Sequence, residues 1–111
     1  MKITQFQSWL KVPSHTLIMG ILNVTPDSFS DGGKFTDTKI AADYAMQMID
    51  EGADMIDIGG ESTRPGAESV SLDQELNRTI PVIEAIRQQS ECLISIDTYK
   101  SAVAKVALDA G

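Results

Sequence analysis

A short apolar run, a polar loop and a helical pattern follow one another three times along this chain. The apolar runs occupy residues 17–22, 55–58 and 93–96, and each is too short to form a helix. Continuous apolar runs of this length are typical of strands buried in a parallel sheet. The repeat therefore predicts an α/β protein built from βα units.

The helical patterns agree with this order. The first follows a possible cap at Thr36 or Asp37 and ends at Gly52, and its inward-facing residues are Ile40, Tyr44, Ala45, Met48 and Ile49. The second begins with Ser71 and Gln74 at the spacing of a capping box, and its apolar stripe is Leu72, Leu76, Ile80, Ile83 and Ile86. We expect Pro81 to kink this helix rather than divide it. The third begins at about Tyr99, with Val103, Val106 and Ala107 facing inward.

Repeated βα units are compatible with an eight-unit barrel, typically about 250 residues long, or with an open doubly wound sheet. Three parallel strands leave two open edges, and the sequence stops at Gly111, where a fourth strand is expected. We therefore expect residues 1–111 to be the amino-terminal part of a single domain, without an internal boundary. In both architectures ligands bind at the carboxyl ends of the strands.

Composition restricts the function further. A net charge of −7 argues against a nucleic-acid surface, which usually carries a basic stripe. No window is long and apolar enough to cross a bilayer. The lone Cys92 permits no internal disulfide, so we expect a reducing cytoplasm and a packed, inert thiol.

The first loop, residues 23–33, reads NVTPDSFSDGG and follows the first predicted strand. The amide oxygen of Asn23 is suited to a hard cation such as Mg²⁺, which takes few protein ligands, although Asn23 also fits a purely structural role before Pro26. Phe29 either stacks on a flat ligand or anchors the loop. Gly32 and Gly33 supply the freedom that a closing lid requires.

The second loop, residues 59–66, reads GGESTRPG and carries the groups that bind anions. Thr63 and Arg64 offer a hydroxyl, an amide and a guanidinium that suit phosphate oxygens. Arg64 also has an ordinary alternative, an ion pair with Asp31 of the first loop. Pro65 and Gly66 are expected to turn the chain sharply.

Two aspartates belong to the second and third strands. Asp97 ends its strand at the level of the loops, and we expect it to contact a ligand rich in N–H donors. Asp57 interrupts an apolar strand and either contacts the same ligand or caps backbone amides. Trp9 and His15 precede the first strand, where we expect a packing role or a plug at the bottom of the sheet.

The two loop motifs and SIDT at residues 95–98 together resemble dihydropteroate synthase, from about Leu17 onward. The resemblance implies a pterin-binding (β/α)8 barrel, of which this chain supplies about three βα units. It also implies a transferase of folate biosynthesis, the step that sulfonamides block. Such an enzyme condenses 6-hydroxymethyl-7,8-dihydropterin diphosphate with 4-aminobenzoate and releases diphosphate and 7,8-dihydropteroate.

The resemblance also implies roles for single residues. Asn23 matches an asparagine that helps to hold Mg²⁺ on the diphosphate, and Asp97 matches an aspartate that hydrogen-bonds the pterin. The two mobile loops that close over diphosphate and aminobenzoate are matched by Phe29, Asp31, Thr63, Arg64 and Pro65, among which Asp31, Thr63 and Arg64 are the catalytic candidates.

Later strands of the family supply further pterin contacts, a lysine and an anion site, and none of these is present in this sequence. We therefore expect this chain alone to be inactive and poorly stable, and the full-length enzyme to be a homodimer. Two alternatives stay open. One is a pterin-dependent methyltransferase domain, which would not need the aminobenzoate loops, and the other is a non-catalytic half-barrel that associates with another chain.

Overall fold

The computed structural model describes residues 1–25, 34–62 and 65–111, and within them the βα repeat is confirmed. The elements follow in the order α1 (Ile3–Lys11), β1 (Met19–Asn23), α2 (Lys34–Asp50), β2 (Met55–Gly59), α3 (Leu72–Arg87), β3 (Leu93–Asp97) and α4 (Ser101–Ala110). The strands form one parallel sheet in the order β1-β2-β3. Each strand extends to the polar residue or glycine that the sequence had placed at the start of the following loop.

The two faces of the sheet differ because successive side chains of a strand point in opposite directions. Leu22, Ile56 and Ile58 are buried on the face that packs against α2, α3 and α4. The opposite face carries Met19 and Ile21, both about half exposed. The continuous apolar runs had predicted strands that are buried on both faces. Within the described part of the chain, only one face of the sheet is buried.

Helix α2 begins earlier than predicted, at Lys34, so positions 36 and 37 fall inside it and not at its N-cap. Among residues 38–50 the buried ones are Ala41, Ala42 and Ala45, whereas Tyr44 is 47% exposed. The small side chains allow the helix to approach the sheet closely, and the larger Tyr44 lies at the margin. The predicted end at Gly52 is confirmed: this glycine has a φ of 115° and its amide donates to the carbonyl of Ile49.

Helix α3 confirms the capping box and part of the predicted stripe. Ser71 Oγ accepts from the amide of Gln74, whose side chain accepts from the amide of Ser71, and the helix continues through Pro81 as one element. Leu72 is exposed, and Leu76 and Ile80 are only partly buried. The buried residues are Glu75, Thr79, Val82, Ile83 and Ile86, of which Ile83 and Ile86 belong to the predicted stripe. The buried face includes two polar residues because both are hydrogen-bonded internally, which a search for apolar spacing cannot detect.

Helix α4 begins at Ser101, two residues later than predicted, and buries Val103 and Ala107 but leaves Val106 38% exposed. Cys92 is buried, as predicted, just before β3.

Helix α1 was not predicted, although Ile3, Phe6 and Leu10 have helical spacing. The carbonyl of Met1 accepts from the amide of Leu93, the first residue of β3, so this segment lies at the amino end of the sheet. Trp9 donates its indole N–H to the carbonyl of His15. The partly buried Trp9 stacks on Phe6, whereas the side chain of His15 is exposed and does not pack.

None of the helices within the described residues combines the length and the hydropathy needed to cross a bilayer.

Candidate active site

The carboxyl edge of the sheet brings two of the predicted site residues into one row. Asn23 pairs in register with Gly59, and Gly59 with Asp97, so the amide and the carboxylate flank a glycine. Adjacent strands are about 4.8 Å apart, which separates the backbones of Asn23 and Asp97 by roughly 10 Å. Both residues are exposed. The prediction that strand ends and loops converge at one edge is confirmed for these three positions.

Gly59 leaves room between the two polar side chains. A Cβ built at this position would lie 3.7 Å from Cβ of Asp97 and 3.8 Å from its Oδ2. These are contact distances, so any larger side chain here would cover the Asp97 carboxylate. The row therefore presents a carboxylate acceptor and an amide oxygen on either side of an open strip of backbone.

A second row lies one step below on the same face and contains Ile21, Asp57 and Ser95. Asp57 Oδ1 accepts a short hydrogen bond from the hydroxyl of Ser95. The sequence left open whether Asp57 caps backbone amides or contacts a ligand, and the structure supplies a side-chain donor from the neighbouring strand instead. This contact holds the carboxylate on the half-buried face directly beneath the Asn23 and Asp97 row.

The second loop leaves the sheet at Gly60, which passes directly against α3. A Cβ built there would lie 2.8 Å from Cγ2 of Thr79 and 3.3 Å from Cγ of Glu75. Arg78 Nη1 donates to the carbonyl of Gly60 over 3.0 Å. The loop therefore begins at a fixed point, because its backbone is both packed against the helix and hydrogen-bonded to it.

The described connection from β2 to α3 continues past Gly66 to Ser71, and the name second loop covers this whole connection from here on. Glu61 joins its beginning to its end. Its Oε2 accepts from the amide of Val70 at 3.0 Å, and its Oε1 lies 2.9 Å from Nζ of Lys100. Tyr99 also donates its hydroxyl to Oε2, at 3.4 Å. The hydrogen bond from Lys100, followed by that from Val70, holds the pKa of the Glu61 carboxyl below its usual 4.5.

Lys100 contacts a second carboxylate, which is buried. Its Nζ lies 2.7 Å from Oε1 of Glu75, a residue that is 1% exposed, and Glu75 Oε2 accepts from the hydroxyl of Thr98. The hydrogen bonds to Glu75 and then to Glu61 raise the pKa of Lys100 above its usual 10.5. Because Thr98 directly follows Asp97, the network reaches the candidate site.

Sequence reasoning missed this network. Glu61 stood inside the quoted second motif but was not singled out, whereas Thr63, Arg64 and Pro65 were. Glu75 and Lys100 were not considered, since an acidic residue near a helix start and a lysine after a strand usually have ordinary solvated roles. The one available signal was that Glu75 and Thr79, two polar residues, are spaced four positions apart and therefore share a helix face with apolar residues.

Several predicted site residues lie outside the described residues. These are Phe29 and Asp31 in the first loop and Thr63 and Arg64 in the second. Pro65 is described: it is exposed and forms a turn with Gly66, whose φ is 83°, so the predicted sharp turn is confirmed.

Metal ligands of the commonest types do not cluster in residues 1–25, 34–62 and 65–111, where no three His, Cys, Asp or Glu side chains come close enough to hold an ion. The exposed amide of Asn23 at a strand end remains suited to Mg²⁺, which often takes one or two protein oxygens and completes its shell with water and phosphate.

Comparison with known proteins gives consistent matches. A family model described as Pterin binding enzyme matches residues 19–111. The dihydropteroate synthase of Bacillus subtilis is 60% identical over 104 residues, which cover 94% of this chain and 36% of that protein.

Two solved structures resemble the fold closely. The dihydropteroate synthase of Xanthomonas albilineans with 4-aminobenzoic acid has a TM-score of 0.83 and 50% identity, covering 88% of this chain and 36% of that one. The enzyme from Clostridium difficile in the presence of pteroic acid has a TM-score of 0.84 and 59% identity, covering 88% and 37%. The chain thus spans little more than a third of the length of these relatives.

Proposed function

Because this chain belongs to the family of pterin binding enzymes, we propose that it forms part of the active site of a dihydropteroate synthase. The reaction would join 6-hydroxymethyl-7,8-dihydropterin diphosphate to 4-aminobenzoate and release diphosphate. The similarity to synthases of Bacillus subtilis and Xanthomonas albilineans supports this choice. The sheet and helices correspond to about the first three βα units of the (β/α)8 barrel in such structures.

The observation that carries the proposal is the row formed by Asn23, Gly59 and Asp97 at the carboxyl edge. A pterin ring is flat and has several N–H donors, and the Asp97 carboxylate is an exposed acceptor beside a glycine that leaves it uncovered. Hydrogen bonds to a charged acceptor are among the stronger ones, so Asp97 would orient the ring. Asp57 lies one row below and would accept from the deeper edge of the same ring.

The leaving diphosphate would be bound at the other side of the row. Asn23 would hold Mg²⁺ through its amide oxygen, and that ion, when bound, would neutralise charge on the diphosphate oxygens. Thr63 and Arg64 would donate hydrogen bonds to the same oxygens, and Asp31 would act with them in closing the site. Loss of diphosphate would leave a cation delocalised into the pterin, which the arylamine nitrogen captures.

The aminobenzoate ring would lie against the two loops. We assign its contacts to Phe29 and Pro65, an aromatic and a rigid apolar ring that suit a flat partner. Further expectations accompany the proposal: the whole enzyme is a cytoplasmic homodimer and is inhibited by sulfonamides.

The test is release of diphosphate by the intact protein when 4-aminobenzoate is added to the pterin diphosphate. We expect Asp97→Asn to weaken pterin binding by about tenfold or more, because it removes the charge from the acceptor. Lys105→Met is the matched control, since Lys105 forms only an exposed ion pair with Asp109 on α4. Wild-type protein that binds the pterin but releases no diphosphate would contradict the proposal and favour a methyltransferase domain.

Arg64→Lys examines the loop assignment separately. A lysine keeps the positive charge but loses the planar pair of donors, so we expect a slower reaction. An unchanged rate would remove Arg64 from the catalytic residues.

A further inference from the structure

The base of the second loop, at Glu61 and Val70, is held by a hydrogen bond and an ion pair. Glu61 closes the loop on itself, because one carboxylate accepts the amide of Val70 at 3.0 Å and also binds Lys100 at 2.9 Å. Glu61 and Val70 are nine positions apart and lie on either side of the residues that carry Thr63 and Arg64. The separation of the two ends of the loop is therefore set by this carboxylate.

Lys100 links that closed base to the rest of the site. It lies 2.7 Å from the buried Glu75 on α3, and Glu75 in turn accepts from Thr98, the residue after Asp97. The ammonium group also lies over the ring of Tyr99, with Nζ 4.3 Å from its centre. One ammonium group thus joins the second loop, helix α3 and the end of β3.

Helix stability does not explain a lysine at this position. Lys100 is the N-cap of α4, where its side chain makes no capping hydrogen bond. A cation near a helix N-terminus also opposes the helix dipole. Its side chain is only 17% exposed and turns away from solvent toward two carboxylates.

We propose that Lys100 is a positioning residue, which acts through Glu61 to fix the base of the second loop relative to the Asp97 end of β3. The effect of Lys100 on catalysis rests on the proposed function. The anchoring of Glu61 by Lys100 rests only on the contacts in the structure. If Lys100 is removed, Glu61 loses its link to Glu75, and its hydrogen bond from the Val70 amide opens more often. The base of the loop is then no longer held in place against the strand that binds the pterin.

The structural test is amide hydrogen exchange in the intact protein, with Val70 as the reporter. We expect Lys100→Met to raise the exchange rate at Val70 by about tenfold or more, because its hydrogen-bond acceptor is no longer held by the ammonium group. Exchange at Ile83, in the buried part of α3, should change much less. Lys105→Met, on the exposed face of α4, should change neither amide.

The kinetic test separates positioning from a loss of stability. We expect Lys100→Met to raise the KM for 4-aminobenzoate severalfold at nearly unchanged pterin affinity, since Asp97 itself is intact. Lys100→Arg should restore much of the wild-type KM, because a guanidinium can bind both carboxylates. A uniform loss of active protein, with KM unchanged, would overturn the proposal.

A second variant keeps the test decisive if Lys100→Met does not fold. In Glu61→Gln one carboxylate oxygen is replaced by an NH2 group. The single remaining oxygen cannot accept from both the Val70 amide and the Lys100 ammonium as the two carboxylate oxygens do. We expect the same rise in Val70 exchange and in KM. Equal increases at Val70 and Ile83, or none at either, would overturn the anchoring, whereas wild-type protein without synthase activity would refute only the proposed function.

Discussion

Replacing Gly60 with alanine should destabilise the protein through one identifiable contact. The added Cβ would lie 2.8 Å from Cγ2 of Thr79, a distance that real Cβ atoms essentially never show, and Thr79 is fully buried. Gly60 is not one of the glycines with positive φ, so the contact and not the backbone is the source of the strain. Overpacking of this kind costs about 1–3 kcal/mol in the free energy of unfolding.

The origin of that cost can be isolated with a second substitution. Thr79→Ser removes Cγ2 and keeps the Oγ hydrogen bond to the carbonyl of Glu75, at a cost of about 1 kcal/mol for the lost methyl group. In the double variant the contact between the added Cβ and Cγ2 of Thr79 is absent. The loss of stability in the double variant should therefore be smaller than the sum of the two single losses. We expect a coupling of about 1 kcal/mol or more, measured by urea unfolding of the four proteins.

Gly66→Ala provides the matched control. Gly66 has a φ of 83° and a Cβ there would meet nothing within 4 Å, so alanine strains only the backbone, by about 1–2 kcal/mol. Its effect should add to that of Thr79→Ser without coupling. If the losses of stability caused by Gly60→Ala and Thr79→Ser simply add, the contact between the new Cβ and Cγ2 of Thr79 is not the cause of the destabilisation.

Two further predictions concern the same part of the fold. The carboxyl of Glu61 accepts hydrogen bonds from Lys100 and Tyr99, and its pKa in the folded state is lowered from the usual 4.5. The stability that this carboxylate contributes is therefore present above pH 4.5 and is lost as the pH falls through its pKa in the folded state. Urea unfolding at about pH 6 and about pH 4 should therefore show a smaller pH dependence in Glu61→Gln than in wild type, and equal dependence would contradict this. Ser71→Ala removes the side-chain acceptor for the amide of Gln74 and should lower the free energy of unfolding by about 1 kcal/mol; a loss no larger than that of an exposed serine control such as Ser101→Ala would contradict the role of the cap.

The sequence predicted the fold well because its signals were local. Short apolar runs ending in Asn23, Gly59 and Asp97 identified the strands, and parallel pairing then required their ends to meet at one edge. The Ser71 capping box and Gly52 marked a helix start and a helix end in the same way. Each of these features involves residues only a few positions apart.

The features that were missed depend on residues far apart in the chain. Glu75 is buried because Lys100, 25 positions away, reaches it, and Glu61 owes its surroundings to a lysine 39 positions away. Asp57 finds a hydroxyl on the neighbouring strand rather than a local amide. No periodicity within a single helix or strand carries this information, so the stripe was predicted correctly at Ile83 and Ile86 but not at Glu75 and Thr79, where the buried residues are polar.

The parallel pairing of β1, β2 and β3 also has a consequence for the order in which the protein folds. Contacts between neighbouring strands join residues such as Ile18 with Asp54, 36 positions apart, and Asp57 with Ser95, 38 positions apart. Such distant pairs form slowly, because a whole helix and two loops must be closed first. The row of Asn23, Gly59 and Asp97 is complete only when β3 has docked, so it requires both long-range strand pairings and not merely the collapse of the helices.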